Sequence, residues 1–236
     1  MHILITNNTL ADLAGSELYV YDLALELQKK GHRVTCFTLQ PGVVSQKLQE
    51  RGIAVTCDVE AIPEDIDIIH AHHPLEMRLA AARLPLVPLM YVSHGITHPL
   101  ERPGQSEACV TRYIAVSKDV HRHLVDVDGV SKDLMEIIPN FVDTDRFAPT
   151  HPISPKPGRI LVVSNHYGLS DMRATIEKAC EIAGNLELQV IGATTQSVWN
   201  VEDYIDWADV VITLGRGALQ AMAMGRAVVI YDYRGG

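Results

Sequence analysis

Short runs of aliphatic and β-branched residues alternate along this chain with longer stretches in which apolar residues recur at helical spacing. The first run, at 2–6, predicts a strand, and a helix that opens at 15–17 is expected to end at Gly31. Further strands are expected at 33–38, 54–57, 66–70, 89–93, 113–116 and 135–138. Further helices are expected at 43–51, 75–82 and 118–125. This alternation predicts an α/β domain whose parallel sheet is covered by helices on both faces.

Particular residues indicate which face of one helix is buried and where another helix begins. The apolar stripe of the first helix is expected to consist of Leu18, Tyr21, Leu25 and Leu27, which would face the sheet. Ser117 precedes the helix at 118–125 and is expected to be its N-cap, because a serine hydroxyl can accept a bond from a first-turn amide.

A second domain is indicated after a break in the pattern. Residues 147–158 contain four prolines and little periodicity, which is typical of a linker. The alternation then resumes, with strands expected at 159–163, 186–191, 210–213 and 227–231 and helices at 171–183 and 217–224. We therefore expect two Rossmann-like domains, 1–150 and 158–236. Because only four strands are visible in the second, it is expected to be incomplete.

Composition and charge exclude several classes of function. The 236 residues are 47% hydrophobic and 21% charged, as in an ordinary globular protein, and the net charge of −9 argues against nucleic acid as a partner. No apolar run approaches the ~20 residues that span a bilayer, and the N-terminus lacks a basic leader. The four cysteines are far apart and include no CxxC pair. We expect a soluble, cytoplasmic protein without a transmembrane segment.

The loop after the first strand is the first candidate ligand site. Open α/β sheets bind ligands at the carboxyl ends of their strands, where helix N-termini attract anions. Gly15 and Ser16 lie at such a position, and glycine allows a ligand to approach the backbone closely. An ordinary turn with a helix cap explains the same residues equally well. The loop lacks the GxGxxG pattern of dinucleotide-binding proteins.

Several histidines lie at or just after the ends of two later expected strands. His70 and His72 are two residues apart in an expected strand, so they share a face of the sheet, and His94 follows the next strand together with His98. Nothing in this spacing requires a metal site. For His70 we favour a hydrogen-bonded histidine beneath the loop, and for His94 a functional and a structural role stay equally open.

Two turns of the second domain offer comparable positions. Arg216 and Gly217 lead from an expected strand into a helix, so the first amides of that helix and a guanidinium lie next to each other. Asn165 lies in the turn after the first strand of the same domain. Both turns are candidate anion sites, and both are also explained as ordinary strand-to-helix turns.

Six segments together resemble the retaining glycosyltransferases of family 4, which have the GT-B fold of two Rossmann-like domains that face a cleft. In chain order these segments are AGSELYVYDLALELQKKGHRVTCFT, DIIHAHHP, YVSHG, YIAVSKDV, IPNFVDTDRFAP and WADVVITLGRGALQAMAMGRAVVIYD. The resemblance covers nearly the whole chain. It implies that the protein transfers a sugar from a nucleotide-diphospho-sugar, linked to UDP or GDP, to an acceptor hydroxyl. It also implies retention of configuration and a mechanism that needs no metal and no cofactor.

The resemblance assigns roles to particular residues. His94 matches the family's active-site histidine next to the transferred sugar, and Gly15 and Ser16 match residues near the donor phosphates and the acceptor. Asn140 and Asp143 match the crossing between the domains. The residues implied to offer backbone donors to the diphosphate are Gly217, Ala218 and Leu219.

The chain departs from the family pattern on the donor side. Ile212 and Gln220 stand where the family has two glutamates, and Gln220 can still hydrogen-bond a ribose without a charge. The turn SNHYGLSDMR lacks the family's Arg and Lys that neutralise a leaving diphosphate, so Arg173 and Arg216 are the candidate replacements. Asn165, in the same turn, is a candidate donor ligand.

Two alternatives follow from these departures. The chain is either a glycosyltransferase or a catalytically degraded scaffold that binds a nucleotide or a protein without transferring sugar. A sugar-nucleotide epimerase is less favoured, because paired catalytic carboxylates are not evident. A second domain that ended after Tyr231 would expose an edge strand, so we also expect a homo-oligomer.

Overall fold

The computed structural model divides into two compact units, Met1–Asn140 and Phe141–Gly236. The residues that it describes are 1–97, 99–103, 108–169, 171–184 and 186–231. Each unit contains its own parallel sheet with helices, so the predicted α/β class with two Rossmann-like layers is confirmed.

The helices and strands of the first unit are, in chain order, β1 (His2–Thr6), β2 (Thr9–Leu10), α1 (Gly15–Lys29), β3 (Arg33–Phe37), β4 (Gln40–Pro41), α2 (Val43–Glu50), β5 (Ala54–Thr56), β6 (Ile68–Ala71), α3 (Pro74–Arg83), β7 (Leu89–Ser93), β8 (Arg112–Ala115), α4 (Lys118–Asp126) and β9 (Met135–Ile137). Seven of these strands form a sheet in which every strand pair is parallel and the order is β5-β3-β1-β6-β7-β8-β9. A short parallel pair, β2 with β4, lies outside that sheet and was not predicted.

The interior strand β1 explains why this sheet needs helices on both faces. All five of its residues are buried, and Leu4 and Ile5 are inaccessible to solvent. A strand buried on both sides has no polar alternation, which is the expected pattern for a parallel sheet. Leu4 packs into the core of the unit together with Met77 of α3 and Tyr91 of β7.

Helix α1 buries a different face from the one predicted. Of the expected stripe, only Tyr21 is buried, whereas Leu18, Leu25 and Leu27 are partly exposed. The buried residues of the helix are Glu17, Tyr19, Val20, Tyr21 and Ala24. Apolar residues surround this helix on more than one side, so their spacing alone does not select the face that packs on the sheet.

The ends of the helices follow the expected residue types. Gly31 has a φ of +84° at the end of α1, a left-handed conformation in which a glycine is favoured. The backbone N–H of Val120 donates to Ser117 Oγ at 3.2 Å, so the predicted N-cap of α4 is confirmed.

Replacing Ser117 with alanine is expected to lower the free energy of unfolding by about 1 kcal/mol, because the first turn of α4 loses its side-chain acceptor. Ser131 is a matched control, since it precedes a single turn of 3-10 helix without a side-chain cap bond. Urea unfolding followed by far-UV circular dichroism measures both variants. Equal losses for Ser117→Ala and Ser131→Ala would contradict the capping role.

The second unit is a four-stranded parallel sheet in the order β11-β10-β12-β13. Its elements are β10 (Arg159–Val163), α5 (Met172–Ile182), β11 (Glu187–Ile191), α6 (Val201–Trp207), β12 (Val210–Thr213), α7 (Arg216–Ala223) and β13 (Ala227–Ile230). Helix α6 was not predicted from the sequence. That helix has only seven residues and a single buried one, Ile205, so it lacks the repeating apolar stripe by which helices are recognised.

The proline-rich segment contributes to the second unit. Phe147 is 1% exposed and packs in a core that contains Leu161, Ile205 and Met224. Arg146 donates to both carboxylate oxygens of Glu202, at 3.0 and 2.8 Å. Residues up to 150 were expected in the first domain, but the structure assigns residues from 141 onward to the second unit. One buried aromatic residue and a few polar contacts, such as the bond from the Thr150 hydroxyl to Asp206, fix this segment, and scattered contacts of this kind produce no periodicity.

A buried carboxylate secures the start of β10. Asp209 is 2% exposed and accepts hydrogen bonds from the backbone N–H groups of Gly158 and Arg159, each at 2.9 Å. The Arg159 guanidinium donates to the same carboxylate at 3.1 Å. These bonds, the guanidinium bond first, hold the pKa of Asp209 well below its usual range. Asp209 therefore ties the beginning of β10 to the beginning of β12.

Two observations bear on membrane and redox chemistry. Within the described ranges, no helix combines the length and apolarity needed to cross a membrane. Cys36 and Cys180 are buried, Cys57 and Cys109 are exposed, and none of the four forms a disulfide.

Candidate active site

The carboxyl ends of three neighbouring strands of the first unit bring polar side chains together. Strand β6 pairs with β1 on one side and with β7 on the other, so the loops after these strands are adjacent. The Asn8 backbone N–H, after β1, donates to Nδ1 of His73, after β6, at 3.3 Å. His94 is the first residue after β7. This edge of the sheet is where an open α/β fold binds its ligand.

Three histidines form a hydrogen-bonded series at this edge, which we name the histidine chain. His70 Nδ1 lies 3.1 Å from His72 Nε2, and His72 Nδ1 lies 2.8 Å from His94 Nε2. The predicted shared face of His70 and His72 and the hydrogen-bonded state of His70 are confirmed. His98, which the sequence analysis grouped with them, lies outside the described residues.

Burial keeps the inner members of the histidine chain uncharged. His72 is inaccessible to solvent, and burial together with the neighbouring histidines lowers its pKa well below the usual value. Burial lowers the pKa of His70 to about 4. At neutral pH each of these two rings therefore carries one N–H and one lone pair.

Tyr19 of α1 packs against the outer half of the histidine chain. Its ring meets the rings of His72 and His94 edge to face, with centroid distances of 5.3 and 4.7 Å. Tyr19 is 7% exposed. Tyr19 was not predicted as part of the site, because it lies off the expected stripe of α1. Its position four residues into the helix that follows the first candidate loop was the available signal.

Glu101 lies close to the residues that follow β7, beside His94. The Glu101 carboxylate lies against Gly95, where any side chain would collide with it. The Ser93 hydroxyl donates to the backbone oxygen of Glu101 at 3.0 Å. The loop after β7 therefore closes on itself directly beside His94.

The loop after β1 places Gly15 and Ser16 at the start of α1, with Ala14 as an N-cap that makes no side-chain bond. Ser16 Oγ donates to Glu17 Oε2 at 2.7 Å. Glu17 is 3% exposed, and burial raises its pKa. The binding roles of Gly15 and Ser16 stay predictions.

The second unit presents its own turn at the carboxyl end of β12. Gly215 has a φ of +58° and starts α7, and a Cβ on Gly217 would lie 2.5 Å from Thr213 Oγ1. That hydroxyl donates to the Val163 backbone oxygen at 2.9 Å, so it links the ends of β12 and β10. Glycine at 217 is therefore required by the close approach of the helix start to the strand.

The turn after β10 is also fixed by internal bonds. Asn165 Oδ1 accepts from the Ala193 backbone N–H at 3.0 Å. Gly192 has a φ of +142° and lies directly against the backbone of Ser164, which leaves no room for a side chain. The Asn165 oxygen thus accepts a hydrogen bond within the protein, and its role in binding the sugar donor stays a prediction.

The two candidate arginines have different surroundings. Arg173, in the first turn of α5, is exposed and donates to Glu177 at 2.8 Å, so its charge is partly compensated. The Arg216 guanidinium lies over the Phe141 ring, 5.4 Å from its centroid. Both stand near carboxyl ends of strands in the second unit, and their catalytic roles stay predictions.

The remaining candidates occupy defined positions whose functions are untested. Gln220 is 8% exposed and lies one turn into α7, after buried Ala218 and half-buried Leu219. Ile212 packs against the core of the unit, which is consistent with an apolar residue at that position. Asn140 is the last residue of the first unit. In the part of the chain that the structure describes, no three His, Cys, Asp or Glu side chains are arranged to hold a metal.

Comparison with known proteins extends these observations. The model of Glycosyltransferase Family 4 matches residues 13–146, more than half of the chain. The D-inositol 3-phosphate glycosyltransferase of Frankia alni is 27% identical over 189 residues, which cover 60% of this chain and 46% of that protein. This chain therefore spans about half the length of that curated relative.

Solved glycosyltransferases share the fold. Anabaena HepE, determined with UDP and glucose, has a TM-score of 0.69 at 16% identity and is matched over 98% of this chain and 81% of its own. A glycosyltransferase from Rickettsia africae has a TM-score of 0.66 at 15% identity, over 100% of this chain and 80% of its own. These similarities confirm the predicted GT-B-like fold class. The match to the family model over more than half of its residues shows that this chain belongs to Glycosyltransferase Family 4.

Proposed function

We propose that the chain transfers a sugar from a nucleotide-diphospho-sugar to an acceptor hydroxyl, with retention of configuration. The observation that carries this proposal is the position of His94. This chain belongs to Glycosyltransferase Family 4, and His94 ends the histidine chain at the ligand-binding edge of the first sheet. The names of two similar proteins support the donor class, since one is a D-inositol 3-phosphate glycosyltransferase and the other was solved with UDP-glucose.

The donor side of the proposal rests on α7. The first amides of a helix have no partner within the helix and attract anions, so Gly217, Ala218 and Leu219 would bind the diphosphate. Arg216 and Arg173 would neutralise the charge that develops on it, and no metal would then be needed. Gln220 would hydrogen-bond the ribose through its amide.

The proposed reaction breaks the bond between the sugar C1 and the diphosphate oxygen and forms a bond from C1 to the acceptor oxygen on the same face. The leaving diphosphate takes the proton of the acceptor hydroxyl, which balances the step. His94 would hydrogen-bond the sugar as charge develops on it. We place this reaction in the cytoplasm, in keeping with four cysteines that form no disulfide.

A second candidate function is nucleotide binding without transfer. Ile212 and Gln220 stand where the family has glutamates, and the charge of Arg173 is partly compensated by Glu177. A site with this loss of charge would still present the helix amides at the start of α7. It would bind a nucleotide or a nucleotide sugar without breaking the bond between the sugar and the diphosphate.

A donor panel separates the two functions. Purified protein is incubated with UDP-, GDP- and ADP-linked sugars, and release of the nucleoside diphosphate is measured, with calorimetry of free UDP and GDP alongside. We expect release from a UDP- or GDP-sugar. Nucleotide binding without release from any donor would favour the scaffold. Neither binding nor release would reject both functions.

A further inference from the structure

Each contact in the histidine chain joins two ring nitrogens, so each requires one N–H group and one lone pair. The two contacts, of 3.1 and 2.8 Å, both involve His72, one through each of its ring nitrogens. A neutral imidazole has one nitrogen of each kind. Because His70 and His72 are uncharged at neutral pH, the three rings cannot choose their tautomers independently.

When all three rings are neutral, two arrangements of protons satisfy both contacts. In one, His70 donates from Nδ1 to His72, and His72 donates from Nδ1 to His94 Nε2, so the proton of His94 is on Nδ1. In the other, both bonds run the opposite way, and His94 donates from Nε2 and keeps a lone pair on Nδ1. The tautomer of His94 is therefore coupled to that of His70 through His72.

We infer that His72 is a positioning residue for His94, which fixes both the orientation of its ring and the nitrogen that carries its proton. This inference rests on the proposed function for its catalytic consequence. His72 is inaccessible to solvent, so water cannot replace its bond to His94. The rings of His72 and His94 are inclined by only 21°, and Tyr19 packs edge-on against both. Packing and hydrogen bonding therefore restrict the same ring.

The consequence for catalysis concerns the hydrogen bond between His94 and the sugar. A ring nitrogen beside a hydroxyl either donates a hydrogen bond through its N–H or accepts one through its lone pair. The other tautomer exchanges these two functions between the ring nitrogens. An imidazole held in one tautomer needs no rearrangement when the transition state forms, which is the general advantage of a group that is oriented in advance. Residues that hold a histidine tautomer affect the rate without touching the substrate.

The first test observes the His94 ring directly. In protein labelled with ¹⁵N-histidine, long-range ¹H–¹⁵N spectra distinguish the two neutral tautomers, and the His94 signals are assigned by their loss in His94→Gln. We expect one dominant tautomer of His94 in the wild type and a mixture in His72→Phe, which fills the space without a hydrogen bond. An unchanged tautomer ratio in His72→Phe would overturn the inference. This measurement does not depend on transfer activity.

The second test measures turnover with matched amide variants. Asparagine places its amide where histidine has Nδ1, and glutamine places its amide where histidine has Nε2. We therefore expect His72→Asn to keep kcat within about threefold, and His72→Gln and His72→Phe to lower kcat about tenfold or more. KM should change less than kcat in all three. Equal losses for His72→Asn and His72→Gln would overturn the inference, even if His72→Phe does not fold.

The two tests separate the inference from the proposed function. A tautomer change in His72→Phe, combined with a wild type that transfers no sugar from any donor, would reject the function and retain the coupling of the rings. Transfer by the wild type, combined with an unchanged His94 tautomer in His72→Phe, would reject the inference and retain the function.

Discussion

Replacing His94 with alanine is expected to lower kcat/KM for sugar transfer by about 100-fold or more. The substitution removes the group that we propose to hydrogen-bond the sugar, and it leaves His72 Nδ1 buried without its 2.8 Å partner. Removing one preorganised hydrogen-bonding group that faces developing charge in the transition state typically lowers kcat by about 10²–10³-fold. The measurement is the initial rate of nucleoside diphosphate release at several donor concentrations.

His32 is the matched control for this substitution. It follows Gly31 directly before β3, at the amino edge of the same sheet, which is the edge opposite to His94. His32→Ala is expected to change kcat/KM by less than about twofold, since surface substitutions away from a site have small effects. If His94→Ala retained more than about a third of the wild-type rate, His94 would not act in the reaction.

Replacing Asp209 with alanine is expected to lower the free energy of unfolding of the second unit by about 3 kcal/mol. Two backbone N–H groups, of Gly158 and Arg159, would lose their acceptor in a site where Asp209 is 2% exposed. Each buried donor left without a partner costs about 1–3 kcal/mol. Both tryptophans of the chain, Trp199 and Trp207, lie in this unit, so urea unfolding followed by tryptophan fluorescence reports on it.

Asp203, exposed on α6 in the same unit, is the matched control, and Asp203→Ala is expected to lower the free energy of unfolding by less than about 1 kcal/mol.

The pH dependence of the free energy of unfolding gives an independent check. Because the pKa of Asp209 is lower in the folded state than in the unfolded chain, its stabilisation is present above about pH 4 and is lost as the pH falls further. The difference in the free energy of unfolding between wild type and Asp209→Ala should therefore become smaller below about pH 4. A difference that stays constant from pH 7 to pH 3 would contradict the role assigned to the carboxylate.

The regular elements could largely be predicted, because a parallel sheet buried on both faces leaves long apolar runs. Strands β1, β7, β10 and β12 begin and end at the predicted residues. Elements fixed by few contacts could not be predicted. Helix α6 has one buried residue, and the short β2–β4 pair has two residues in each strand. Phe147 joins the second core from a proline-rich segment that has no periodic signal.

The candidate site could be predicted only in part, for a different reason. Strand alternation predicts that His70 and His72 share a face, and family motifs indicate His94. Their connection into one hydrogen-bonded series depends on how β6 and β7 align, and this alignment is a property of the folded sheet. The choice of Tyr19 rather than Leu18 as a buried residue of α1 likewise depends on packing against the histidines.

The central claim is that this chain transfers sugar from a nucleotide-linked donor. NMR of the sugar C1 tests this claim most directly. Nucleotide sugars labelled with ¹³C at C1 show a carbon signal split by the neighbouring phosphorus, and NMR follows that signal during incubation with the protein. We predict that the splitting disappears for a UDP- or GDP-sugar and that the first product has the anomeric configuration of the donor. A C1 signal that stays coupled to phosphorus with every donor would contradict the assignment of this chain as an active glycosyltransferase.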